Sequence, residues 1–388
     1  MKTEELLVNL KKIFGEINEK VSFYFAPGRV NLIGEHTDYN GGYVFPCALS
    51  FGTYLAIRKN REEKLRFASL NFEGVNEISI SEIKQKRGNE WVNYPLGVIN
   101  EFDKIGIELP GYDFLYYGDL PNGAGLSSSA SIEIVTAYAI NDLYKVGLDE
   151  KELAKLAQRA ENLFVGVNCG IMDQFSSVAG KKDHAIFLNC DTLEYELIPV
   201  VLGDYKLVIA NTNKKRGLAD SKYNERRSEC EKAVEIINNV KKIKLLGELT
   251  FDELMSMKNL FEGHDVIFRR ARHVVSEIKR TVDAVDALKN GDLKKFGQLM
   301  NESHDSLRDD YEVTGLELDT LVSETRKING VLGSRMTGAG FGGCTVSIVH
   351  KNSIDTLIDK VGKAYKEITG LKANFYVAEI ADGAKKIE

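Results

Sequence analysis

Gly28-Arg-Val-Asn-Leu-Ile-Gly-Glu-His-Thr-Asp-Tyr-Asn-Gly-Gly-Tyr-Val-Phe-Pro46 is the stretch of this chain that decides its fold. An apolar run, Val21 to Ala26, reads as a strand that enters Pro27-Gly28 and then delivers Arg29, Glu35, His36 and Asp38 within ten residues. One cation, two carboxylates and an imidazole set among glycines suit a polyhydroxylated ligand. Carboxylates accept hydrogen bonds from paired hydroxyls, and a guanidinium meets a phosphoryl group with a rigid fork of donors. The competing reading is a polar loop between strands, capped by Asp38 and turned by Asn40-Gly41-Gly42. Four ionisable groups packed behind one apolar strand favour a site over that loop.

A second stretch, Gly118-Asp-Leu-Pro-Asn-Gly-Ala-Gly-Leu-Ser-Ser-Ser-Ala-Ser131, follows a predicted strand and opens a predicted helix, Ser131 to Tyr144. Gly123 and Gly125 let the backbone approach an anion, and the positive end of the following helix favours the same anion. Ser127, Ser128 and Ser129 add hydroxyls, one of which suits a phosphate-bound Mg²⁺. No Walker A pattern, G-x-x-x-x-G-K-S/T, occurs in the chain. The loop therefore reads as a different phosphate cradle, without a lysine of its own.

Gly166-Val-Asn-Cys-Gly-Ile-Met-Asp-Gln-Phe175 carries one acid, Asp173, among apolar neighbours, and this acid reads equally as a helix cap or a functional group. Gly338-Ala-Gly-Phe-Gly-Gly343 fits the dinucleotide fingerprint G-x-G-x-x-G as a pattern, but the alternation of Cys344 to Val349 predicts a strand after it, where that fingerprint requires a helix.

Together these motifs resemble the galactokinases, a branch of the GHMP kinases (galacto-, homoserine, mevalonate and phosphomevalonate kinases), and they occur in family order across most of the chain. The resemblance implies an α+β, two-domain architecture: an N-terminal ribosomal-protein-S5-like α/β domain and a C-terminal, ferredoxin-like α+β domain, with the active site in the cleft. It implies ATP- and Mg²⁺-dependent phosphorylation of α-D-galactose at its C1 hydroxyl, the first committed step of galactose catabolism. By that resemblance Asp173 and Arg29 are catalytic, and Arg29, Glu35, His36, Thr37, Asp38, Gly170, Asp173 and Tyr223 bind the sugar. Gly123, Ala124, Gly125, Leu126, Ser127, Ser128 and Ser129 wrap the ATP phosphates, and Ser69 aligns with a nucleotide-contacting serine. Ser129 and Glu161 hold the metal, and the Gly338–Gly343 block backs the phosphate loop. On the residues alone, Glu161 reads as a surface glutamate of a charged helix and Tyr223 as a helix-face tyrosine packed on the core. Many relatives carry Lys-His where this chain has Lys215-Arg216.

Two other readings are weighed. A galactose sensor of the kind with a shortened phosphate motif is disfavoured, because Ser127 to Ser131 is intact and Asp173 is present. An N-acetylgalactosamine kinase needs more room near the sugar's C2. A chain of 388 residues with 43% hydrophobic and 28% charged residues is sized for two domains, and we place the division at 1–200 and 201–388. A net charge of −6 gives no general affinity for nucleic acid or anionic membrane, and Arg269-Arg270-Ala271-Arg272 reads as a solvated helix face. Five scattered cysteines without a C-x-x-C pair argue against a disulfide framework and a zinc site. The expected partners are galactose and ATP alone, the expected location cytoplasmic, and the expected assembly a monomer or weak dimer.

Overall fold

The computed structural model describes residues 3–16, 18–88, 90–120, 125–214 and 219–387, with the side chains of 219–221 left aside. Its first layer is a six-stranded sheet ordered Lys385–Lys386, Val21–Asn31, Pro46–Lys59, Tyr112–Gly118, Lys64–Ser69, Phe72–Ser79. All pairings are antiparallel except that of Lys64–Ser69 with Tyr112–Gly118. Alternation along these strands assigns the two faces. Tyr24, Leu55, Phe67 and Phe114 join Leu96, Ile134, Leu156 and Phe175 of the helical layer, whereas Phe23, Ala56 and Leu115 meet Leu6 and Leu10 of the helix Thr3–Phe14.

The second layer is an antiparallel four-stranded sheet ordered Val331–Thr337, Cys344–His350, Tyr205–Asn211, Asn374–Ala378. Val208 and Ala210 face Leu321, Leu357 and Val361, and Leu207, Ile209, Val346 and Ile348 face Phe296 and Leu299. A further small sheet joins Tyr43–Val44, His184–Asn189 and Tyr195–Pro199; the helix Leu293–Ser306 packs on Val331–Thr337 of the second layer, Asp265–Lys289 packs on that helix, and Ala219–Ile237 packs on Asp265–Lys289. The mixed α+β class read from the sequence is the one observed.

Several predicted elements differ in extent. The first strand does not stop at Ala26 but runs to Asn31 through a register shift between Pro27 and Arg29, a bulge that accommodates the proline and aims Arg29. The helix after the phosphate loop begins at Ser128 rather than Ser131, and the helix Glu150–Arg159 continues into a π-helical turn over Ala160–Val165. The strands Lys64–Ser69, Phe72–Ser79 and Val331–Thr337 and the helices Asn93–Lys104 and Met172–Ala179 were not legible in the periodicity. The arginine cluster is no solvated face: Arg269 pairs with Glu312, Arg270 with Glu229 and Glu312, and Arg272 with Asp310. Among the described residues no helix is long and apolar enough to cross a membrane.

Candidate active site

Arg29 leaves the strand bulge with its backbone N–H donating to the Leu126 carbonyl at 3.2 Å, so strand and phosphate loop are joined at this residue. Gly28 makes the approach possible, because a Cβ there would lie 2.5 Å from both Leu120 Cδ2 and Leu126 O. The guanidinium then divides its donors. Nε and Nη2 each reach Asp173 Oδ1 at 2.8 Å, and Nη1 donates to the Gly125 carbonyl at 2.9 Å. One arginine thus ties the acid to the loop. Asp173 sits in the first turn of Met172–Ala179, a helix pinned to the bulged strand by the Ser177 hydroxyl, which donates to Pro27 O at 2.6 Å. The Gly338–Gly343 block stands behind: Gly338, at φ 84°, would place a Cβ 3.0 Å from Gly125 O.

These groups open onto a cavity of about 390 Å³ whose lining includes Arg29, Glu35, His36, Asp38, Ser128, Ser129, Glu161, Gly170, Asp173, Tyr223 and Gly338. Asp38 and Gly170 form one wall. Burial, then the neighbouring Asp173 carboxylate, push Asp38 up to about 7, against the Tyr39 backbone amide and Arg29. His36 occupies a left-handed conformation at φ 61°, and its Nδ1 is 2.8 Å from the Tyr39 hydroxyl. Burial and then His273 push its ring down to about 3, so the imidazole is neutral near pH 7. The Tyr223 ring lies 5.7 Å from His36 and 5.4 Å from Tyr39, on the cavity and not in the core. Glu35 is buried and accepts from Arg335 at 3.2 Å and from the Gly338 N–H at 2.8 Å. Thr37 stands apart from the lining: its hydroxyl lies 3.0 and 2.8 Å from the carbonyl oxygens of Gly34 and Tyr43, where it holds the turn.

At the phosphate end, the helix start places Ser128 and Ser129 on the cavity, and the Ser127 hydroxyl is buried without a protein partner. Glu161 is 5% exposed, not a surface glutamate, and Gln174 Nε2 donates to its Oε2 at 2.6 Å. Burial, then the neighbouring Asp173 carboxylate, push Glu161 up to about 7. The Ser129 hydroxyl and the Glu161 carboxylate, hydrogen-bonded to each other on the cavity, form an oxygen-only pair, which would fit Mg²⁺ together with phosphate oxygens. Ser128, Ser129 and Tyr94 also line an adjoining cavity of about 200 Å³ with Ser69, Phe72, Trp91, Tyr116, Leu120 and Ile132, so Ser69 faces a pocket walled in part by aromatic rings. Gly123 and Ala124, and the Lys215-Arg216 pair, lie outside the described residues.

Sequence reasoning missed Arg335, Glu277, Gln174 and Trp91. Arg335 is fully buried in a strand that the periodicity did not reveal, and Glu277 lies on a helix whose charged composition conceals a buried acid. For Gln174, adjacency to Asp173 was the only signal.

Comparison with known proteins follows the same geometry. The galactokinase galactose-binding signature matches residues 10–59, the GHMP kinases N terminal domain residues 93–181, and the GHMP kinases C terminal domain residues 284–367. The galactokinase of Clostridium acetobutylicum is 56% identical over 380 residues, spanning 97% of each chain, and that of Fusobacterium nucleatum is 54% identical over 99% of this chain and 100% of its own. The chain belongs to the galactokinase family. The crystal structure of Lactococcus lactis galactokinase complexed with galactose superposes with a TM-score of 0.96 at 45% identity, covering 99% of both chains. Methanococcus jannaschii mevalonate kinase, at 21% identity and a TM-score of 0.67, covering 94% of this chain and 99% of its own, shares the fold. Both GHMP kinase domains expected from the motifs are therefore present, and the galactokinase signature covers the stretch that carries Arg29, Glu35, His36 and Asp38.

Proposed function

We infer that the chain transfers the γ-phosphoryl group of ATP to the C1 hydroxyl of α-D-galactose, releasing α-D-galactose 1-phosphate and ADP. The observation that carries the reading is the placement of one carboxylate, Asp173, between a hydroxyl-binding cavity and the phosphate loop, with Arg29 bonded to both. Phosphoryl transfer passes through a loose transition state, so alignment and charge neutralisation do most of the work. Asp173 aligns the C1 hydroxyl and takes its proton. Arg29 faces the charge that develops on the transferred group. Asp38, Glu35, His36, Tyr223 and the Gly170 backbone meet the remaining hydroxyls, and a deoxy sugar would leave these buried groups unpaired. The backbone from Gly123 to Ser129 receives the phosphates, and the aromatic pocket beside Ser69 receives the base. Ser129 and Glu161 would hold Mg²⁺, which when bound neutralises charge on the phosphate oxygens.

The concentration of the first sheet in residues 21–118 and of the second in residues 205–378 supports a division near residue 200, with Lys385–Lys386 returning to the first sheet. Cytoplasmic residence and a monomer or weak dimer complete the proposal. An ATP-consumption assay with Mg²⁺ and matched galactose, N-acetylgalactosamine, glucose and mevalonate tests it. Galactose-selective ADP release is expected; galactose binding without ADP release would point to a sensor instead.

A further inference from the structure

The turn that aims Glu35 and His36 is an uncomfortable piece of backbone. Gly34 takes φ 93°, and His36 takes φ 61° with a full side chain. A non-glycine residue keeps such a conformation only where its surroundings over-determine it. Buried amide and carbonyl groups in the turn also require partners.

Those partners come from one face of a helix more than two hundred residues away in sequence, Asp265–Lys289. Glu277 Oε1 accepts from the Gly34 N–H at 3.0 Å and from the Glu35 N–H at 3.3 Å. His273 Nε2 lies 3.2 Å from the Glu35 carbonyl oxygen, and its Nδ1 lies 2.8 Å from the Ser306 hydroxyl. The carbonyl can only accept, so Nε2 carries the proton and Nδ1 accepts from Ser306. Thr281 closes the row: a Cβ on Gly34 would lie 2.9 Å from its Oγ1. Residues 273, 277 and 281 recur every four positions and so share one stripe of the helix. Beside them Ile278 fills the space under Gly42, where a Cβ would meet its Cγ1 at 2.5 Å. Glu277 is itself fixed, fully buried, by the Ser303 hydroxyl at 2.5 Å and an ion pair with Arg280. None of His273, Glu277 or Thr281 lines the cavity.

We propose that Glu277, with His273, is a positioning residue for sugar recognition: it clamps the Gly34–Glu35 backbone so that Glu35 and His36 face the cavity. Affinity for galactose then depends on a helix that never touches it, while the phosphoryl-transfer step does not. The inference rests on the reading of the cavity as the galactose site.

The test combines Glu277→Ala and Glu277→Gln with three measurements on the full chain. These are calorimetric galactose binding without ATP, steady-state constants for both substrates, and amide exchange of peptides spanning residues 30–42. For the alanine variant, galactose Kd and KM are expected to rise about tenfold or more, the scale of losing hydrogen bonds to a charged acceptor. ATP KM and kcat should stay within about twofold, and exchange in the 30–42 peptides should accelerate. Glutamine keeps an acceptor oxygen and should fall between alanine and the parent. A folded alanine variant with unchanged galactose affinity, or with galactose and ATP constants rising together, overturns the proposal. Should that variant fail to fold, His273→Phe removes the donor and keeps a ring against Tyr311; an unchanged galactose KM there overturns it equally. Absence of galactose binding by the parent chain would sink the reading of the cavity, whereas parent binding with unaffected variants sinks only the clamp.

Discussion

Asp38 and Gly170 meet so closely that a Cβ on Gly170 would lie 1.9 Å from Asp38 Oδ2 and 2.4 Å from its Cγ. Gly170 does not occupy the left-handed region, so an alanine there would be tolerated by the backbone and refused only by the carboxylate. Gly170→Ala should therefore rotate Asp38 away from the sugar and leave the fold intact. Galactose KM is expected to rise about tenfold or more with ATP KM within about twofold. Steady-state kinetics with each substrate varied checks this; equal galactose constants in both proteins would remove Asp38 from the sugar wall.

Asp38 also makes stability depend on pH. Its folded value of about 7 lies above the ordinary 3.8, because burial and Asp173 disfavour the carboxylate. The folded protein thus holds this proton more tightly than the unfolded chain. The resulting stabilisation is full below about pH 4 and is lost as pH climbs through 7, beyond which the buried charge costs on the order of 1–4 kcal/mol. Asp38→Asn removes the charge. Its melting temperature relative to the parent should rise by a few degrees between pH 4 and pH 8, without ligand. Galactose affinity should fall in the same variant, since the amide replaces one acceptor oxygen with a donor. Melting curves at both pH values decide; a difference independent of pH would mean that Asp38 is not the strained group.

Much of this site was readable in the sequence because its chemistry is local. Arg29, Glu35, His36 and Asp38 fall within ten residues, and the glycines and serines of the phosphate loop are contiguous. Short-range alternation likewise placed the strand Cys344 to Val349 inside the observed Cys344–His350. What escaped is what tertiary contact creates. Phe72–Ser79 is an exposed edge strand with little apolar alternation, so no period marks it. Met172–Ala179 is too short for a helical period, and its position comes from Ser177 on Pro27. Glu161 reads as a surface residue because its helix is rich in charge, although it follows Leu153 and Ala157 at four-residue spacing on the buried face. Glu277 and Arg335 act across some 240 and 300 residues of chain, a distance at which a single sequence carries no pairing information.

The aromatic pocket beside Ser69 gives a separable test of nucleotide binding. Trp91 lies 6.1 Å from the Phe72 ring at an interplanar angle of 16° and contacts Tyr116 edge-on at 5.7 Å, so it forms a flat apolar wall suited to a purine. Trp91→Ala should raise ATP KM by about tenfold, as loss of a base-stacking ring does, and leave galactose binding unchanged. Fluorescence offers a direct readout, because Trp91 is the single tryptophan of the chain. ATP should alter its emission in the parent protein; a silent titration alongside normal turnover would place the base elsewhere.

The bond between Arg29 and Asp173 allows proton acceptance to be separated from geometry. In Asp173→Asn the amide oxygen can take the place of Oδ1 and still accept from Nε and Nη2, so the arginine and the Gly125 carbonyl stay where they are. What is lost is a group able to take a proton from the C1 hydroxyl. Turnover should fall at least a hundredfold while galactose affinity stays within about tenfold. Arg29→Lys does the converse. It keeps a positive charge but replaces a planar fork, bonded to two different groups, with one point donor. That variant should also lose about a hundredfold in kcat, with phosphate-loop exchange accelerated because the Gly125 tie is gone. Rapid-quench single turnovers with calorimetric galactose binding distinguish the two. If Asp173→Asn turns over at a rate near the parent's, the proton leaves by another route, and Asp173 only aligns the hydroxyl.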